Sequence, residues 1–151
     1  MAKKSAGILL YRKKGRSFEV LLVHPGGPYW ANKDAGAWSI PKGEFDDNED
    51  ALSAAKREFE EETGLNISGV FIELSPIKLK SGKTVFAWAV EGDIDPLKIN
   101  SNEFVMEWPP RSGKMRSFPE IDKAAWFSLP DAEIKINPGQ IKMLEEMKSR
   151  L

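Results

Sequence analysis

The run Arg57-Glu58-Phe59-Glu60-Glu61-Glu62 restricts this chain more than any other stretch, because four closely spaced carboxylates must go where they can be tolerated. The surrounding residues predict a helix from about residue 48 to residue 63. Asp46, Asp47 and Asn48 offer N-cap oxygens, and Gly64 stands where a C′ residue belongs. Ala51, Leu52, Ala55 and Phe59 form its apolar stripe. At about 100° per residue, Glu58, Glu61 and Glu62 fall on one face beside Phe59, and Glu60 points elsewhere. Helix stability does not account for this. A like-charge i,i+4 pair costs roughly 0.2–0.5 kcal/mol, and the negative end of the helix dipole disfavours anions. Two readings fit the residues. One is a solvated acidic face. The other is a site for a hard divalent cation, which takes oxygen ligands and often binds through carboxylates and substrate phosphates together.

The rest of the chain narrows the setting. Its 151 residues suit one domain spanning 1–151, long enough to close a core. There is no cysteine, which excludes a disulfide scaffold, thiol catalysis and thiolate metal sites. Lys and Arg number 22 against 23 Asp and Glu, so the basic excess of a duplex-binding module is missing. The apolar run at 7–11 is too short for a signal-peptide core or a membrane span. The expectation is a soluble, cytoplasmic protein with no membrane partner.

Apolar segments at 7–11 and 18–23, separated by Lys13-Lys14-Gly15-Arg16, read as a strand hairpin. Trp38-Ser39-Ile40 reads as a short strand stopped by Pro41. Residues 70–74, 84–91 and 124–128 read as further strands. The stretch 93–120, with Pro96, Pro109, Pro110 and Pro119, reads as one long irregular connection. Asn137-Pro138 starts a closing helix whose face carries Ile141, Leu144, Met147 and Leu151. Strands with two helices in this order predict an α/β chain: a mixed sheet with helices covering its faces.

Gly43, Glu49, Arg57, Glu58, Phe59, Glu61, Glu62, Gly64 and Leu65 stand at the spacing G-x5-E-x7-R-E-U-x-E-E-x-G-U, where U is a bulky apolar residue. This resembles the box of the Nudix hydrolase family at every fixed position, with Phe59 where an aliphatic residue is more usual. The resemblance implies an α/β/α sandwich with a mixed central sheet. It also implies a pyrophosphohydrolase that uses Mg²⁺ or Mn²⁺ on a nucleoside diphosphate linked to another group. On the same resemblance, Glu58, Glu61 and Glu62 hold metal, with the carbonyl of Gly43 as a further ligand. Arg57 orients Glu58, and Glu49 pairs with Arg57 or reaches a second metal. Glu61, Arg57 and Glu58 are the catalytic candidates, with the identity of the general base left open. A metal-bound water is a competent nucleophile near neutral pH, which agrees with the chemistry read from the residues.

Outside the box the signals are weaker. Pro41-Lys42-Gly43 is similar to Nudix enzymes of diadenosine polyphosphates, diphosphoinositol polyphosphates or RNA 5′ ends, and Lys42 is either a phosphate contact or a turn lysine. Trp108 with Arg111, Lys114 and Arg116 makes either a base-stacking and phosphate-gripping segment or an ordinary exposed loop. Glu120 either caps a loop or, on the same resemblance, is the extra carboxylate that many relatives place there, sometimes as the base. His24 reads as a core-edge residue, Trp88 and Trp126 as core, and Gly82-Lys83-Thr84 as a turn. The expected partner is a nucleotide-type small molecule, such as a dinucleoside polyphosphate. Alternatives are a nucleoside triphosphate, an RNA 5′ end or, in another class, a non-catalytic nucleotide sensor.

Overall fold

A computed structural model describes residues 3–151; Met1 and Ala2, included in the expected domain, lie outside them. β1 (Lys4–Lys14) and β2 (Ser17–Pro25) form the expected antiparallel hairpin. β1 also pairs in parallel with β6 (Thr84–Glu91), and β2 pairs antiparallel with β9 (Ile121–Ser128), so the sheet is mixed. β4 (Ile72–Glu73) and β5 (Ile77–Lys78) edge β6, and β3 (Lys42–Phe45) lies antiparallel on β1.

Alternating side chains of the central strands feed two cores, as the strand period of two requires. Ala6, Ile8 and Leu10 face helix α1 (Ala51–Thr63), packing with Ala54, Ala55, Phe59 and Trp88. Leu9, Tyr11, Val85 and Ala87 face the opposite way, onto α2 (Leu129–Lys135) and α3 (Ile141–Arg150). Helices on both faces of one mixed sheet give the expected α/β/α sandwich.

Several boundaries differ from expectation. α1 begins at Ala51, capped by Asp50 Oδ2, which accepts from the Ser53 N–H at 3.1 Å. Asp46 is spent earlier, on the Asn48 N–H. At 38–40 there is no strand: Trp38 and Ser39 each make an isolated bridge. The strand expected at 70–74 shrinks to two residues. The stretch 93–120 is not irregular throughout: β7 (Glu103–Glu107) and β8 (Met115–Pro119) form a separate antiparallel hairpin. There are three α-helices among the described residues, not two. α2 carries a signal that the reading passed over, since the Ser128 side chain caps it and Pro130 sits in its first turn. The closing helix buries Met143, Leu144 and Met147, whereas Leu151 is exposed.

Candidate active site

α1 presents the carboxylates because its two ends are fixed. Asp50 caps the start, and Gly64, in the left-handed region at φ 74°, donates its N–H to the Glu60 carbonyl at 2.7 Å. The helical phase is as expected. Glu58 is buried, Glu61 and Glu62 are half-buried, and Glu60 is exposed.

Arg57 organises this face. Its Nε and Nη2 donate to the two Glu49 oxygens, both at 2.8 Å, a bidentate pair. Its Nη1 donates to Glu58 Oε1 at 2.8 Å and Glu61 Oε1 at 3.1 Å. One guanidinium therefore ties three carboxylates together. These bonds raise the pKa of Arg57 further and hold Glu49 below the usual carboxylate range. Glu62 turns away from Arg57 and accepts the Lys42 N–H at 3.1 Å. Glycine at position 43 leaves room for the Glu58 carboxylate, which a Cβ there would displace.

The charges are poorly compensated. Burial, and then the charge of Glu61, push Glu58 up. Burial dominates at Glu62 and, with Glu58 adding to it against the Lys42 N–H, pushes it up to about 8. Burial, and then the neighbouring Lys83, lower the ammonium of Lys42. Mutually repelling carboxylates in a half-buried cleft fit a cation made to measure for hard oxygen donors. Among the described residues the acids are not already grouped as a ligand cage, because Arg57 and the Lys42 N–H hold their oxygens.

These side chains line a polar cavity of about 310 Å³ together with Ser5, Glu44, Lys83, Asn102 and Glu120. A smaller hollow of about 200 Å³, lined in part by Pro25, Ile40, Lys42, Glu62 and Glu120, adjoins it. A third, of about 450 Å³ and largely apolar, is walled by Tyr29, Trp30, Phe104, Met106 and Glu120. Glu120 borders all three, so the hollows form one groove with a charged end and an aromatic end.

Lys42, Gly43, Glu58, Glu61, Glu62 and Glu120 thus meet in one place, with Arg57 and Glu49 behind them. Trp108, Arg111, Lys114 and Arg116 do not line these hollows. Trp108 stands edge-on to Tyr29, with ring centroids 5.3 Å apart, at the base of the β7–β8 turn. Arg111 and Lys114 are exposed in that turn, and Arg116 leaves it along β8 over Phe118. His24 is fully buried, its Nδ1 2.8 Å from Asp122 and its Nε2 2.6 Å from the Lys33 carbonyl.

Sequence reasoning missed Ser5, Glu44 and Lys83, and also Tyr29, Trp30, Phe104 and Met106. No local motif marks them, although the short apolar run Phe104-Val105-Met106 between two glutamates was a readable strand signal.

The fold and site together define an α/β/α protein whose first helix presents a guanidinium-tied carboxylate set to a groove. The chain belongs to the Nudix family: a family model described as NUDIX domain matches residues 1–147. The bis(5′-nucleosyl)-tetraphosphatase (asymmetrical) of Rattus norvegicus is 30% identical over 103 residues, covering 60% of this chain and 66% of the rat protein. The match thus spans just under two thirds of that relative's length. An RNA pyrophosphohydrolase of Erythrobacter litoralis (strain HTCC2594) is 34% identical over 64 residues, 42% of this chain and 35% of that one. Among solved structures, a C. elegans Ap4A hydrolase binary complex superposes with a TM-score of 0.67 at 22% identity, covering 96% of each chain. The NUDIX domain of Shewanella oneidensis NrtR, complexed with ADP ribose, gives 0.68 at 14% identity, covering 99% of this chain and 88% of that one. At these identities the two superpositions show a shared fold.

Proposed function

We propose that this chain hydrolyses a pyrophosphate bond in a nucleotide-type substrate, with a dinucleoside polyphosphate as the preferred class and Mg²⁺ or Mn²⁺ as cofactor. The observation that carries this is the tying of Glu49, Glu58 and Glu61 by Arg57, next to Glu62 and Lys42, in a groove that also has an aromatic end. The similarity to the rat tetraphosphatase supports the substrate class.

Glu58, Glu61 and Glu62 would hold the cation, with the Gly43 carbonyl beside them. When bound, such an ion neutralises phosphate charge and makes a nucleophile of water near neutral pH. Arg57 restricts the rotamers of Glu58 and Glu61, which keeps both carboxylates at the cavity. A carboxylate not used as a ligand, from α1 or at Glu120, takes the proton of the attacking water. Lys42 and Lys83 neutralise the phosphate chain. Tyr29, Trp30, Phe104 and Met106 offer apolar surface to a base.

A panel of diadenosine tetraphosphate, nucleoside triphosphates, ADP-ribose and triphosphorylated RNA, incubated with Mg²⁺, tests the reading through released phosphate and nucleotides. Turnover of at least one is expected. Tight nucleotide binding with no turnover would leave the sensor reading in its place. The likeness to the Erythrobacter litoralis protein keeps the RNA 5′ end on the panel as the second reading.

A further inference from the structure

Ser5 is the one side chain of the cavity that the fold does not explain. It is 0% exposed, and among the described residues its Oγ is a buried polar atom with no hydrogen-bond partner. An unpaired buried hydroxyl destabilises a fold, and alanine would occupy the same place in β1 without that penalty.

Its neighbours supply a reason. The strand register sets Ser5 opposite Glu44 of β3 and beside Val85 of β6. Lys42 is two residues from Glu44 and Lys83 two residues from Val85, so both lysines share the face of the sheet that Ser5 occupies. Ser5, Lys42 and Lys83 line the carboxylate cavity together. Glu44 Oε1 lies 3.1 Å from Lys83 Nζ, which leaves Lys42 as the cation without a carboxylate in salt-bridge range among the described residues. Two ammonium groups and an unpaired hydroxyl donor in one cavity make an arrangement that an anion completes.

Resting on the pyrophosphohydrolase reading, we propose that Ser5 Oγ donates a hydrogen bond to a non-bridging oxygen of the phosphate chain between Lys42 and Lys83. Ser5, Lys42 and Lys83 are then one phosphate subsite of the carboxylate cavity.

Ser5→Ala and Ser5→Cys test it, the second keeping the volume but weakening the donor. Steady-state kinetics with diadenosine tetraphosphate and Mg²⁺ should show KM raised roughly tenfold in Ser5→Ala and less in Ser5→Cys, with kcat within about twofold of wild type. Melting without substrate should show Ser5→Ala as stable as wild type or more so. Calorimetric binding of inorganic tripolyphosphate, which needs no turnover, should weaken roughly tenfold in Ser5→Ala. Unchanged KM and unchanged tripolyphosphate affinity in both variants would overturn the subsite while wild-type turnover kept the enzymatic reading standing. A lowered Tm with unchanged affinity would do the same, making Ser5 a residue of the fold alone. Wild-type inactivity across the substrate panel sinks the enzymatic reading separately, and the tripolyphosphate result still decides the subsite.

Discussion

At the scale of single residues, Arg57 does what its single charge would not. Its planar fork bonds Glu49 on one edge and both Glu58 and Glu61 with the remaining nitrogen. A lysine has one ammonium and cannot hold that geometry. On the proposed metal role of Glu58 and Glu61, Arg57→Lys should therefore lower kcat/KM roughly 10–100-fold. Its melting temperature should stay near that of wild type, because Arg57 is half-exposed. Glu61→Gln should cost roughly 10²-fold or more in kcat with the fold intact. Glu60→Gln is the internal control and should be nearly silent, since Glu60 is exposed away from that face. Equal losses at Glu60 and Glu61 would mean that the helical phase does not define the site. The carboxylates and Arg57 were legible because a helix converts fixed spacing into a shared face. Ser5 and Lys83 were not, because they reach the cavity through strand register between segments about eighty residues apart, which no local spacing encodes.

At the scale of elements, α1 is held with three acids on one side, and a cation should relieve that repulsion. Mg²⁺ at about 100 times its Kd would add about 2.7 kcal/mol to native stability, which for a chain of this size is roughly 5–10 °C in Tm. Glu61→Gln and Glu62→Gln should each reduce that shift, and a chelator should abolish it in wild type. Equal shifts in all three proteins would return the cluster to a solvated acidic face. α1 was readable because an Asp-rich start, an apolar stripe and Gly64 agree with one another. The β7–β8 hairpin was not, because it stands apart from the main sheet, and Phe104, Met106 and Phe118 are only half-buried. Its prolines at 109 and 110 belong to the turn, where they do not interrupt strand pairing. β3 was missed for a different reason. Lys42-Gly43-Glu44-Phe45 has little strand propensity of its own and is extended because β1 pairs with it.

At the scale of the whole molecule, the groove follows from how the elements are layered. α1 brings its acids to the cavity, β3 and the residue just before β6 bring two lysines, and the segment after β2 meets the β7–β8 hairpin to form the aromatic hollow. A substrate that matches this groove carries a base for the aromatic hollow and phosphates for the cavity that Lys42 and Lys83 line. Each added phosphate gains charge-assisted contacts there. Diadenosine tetraphosphate should accordingly show a higher kcat/KM than ADP-ribose in a side-by-side measurement. Lys42→Ala should raise KM for diadenosine tetraphosphate by more than it does for ADP-ribose, because the longer chain brings more phosphate charge to that ammonium. Phe104→Ala should act on both substrates alike, since it removes apolar surface at the end where their common adenosine would lie. If Lys42→Ala raised both Michaelis constants by the same factor, the lysine would be serving the reacting phosphates rather than the added ones. If ADP-ribose were the better substrate, the charged end of the groove would not be selecting for chain length, though the carboxylate chemistry of α1 would be untouched.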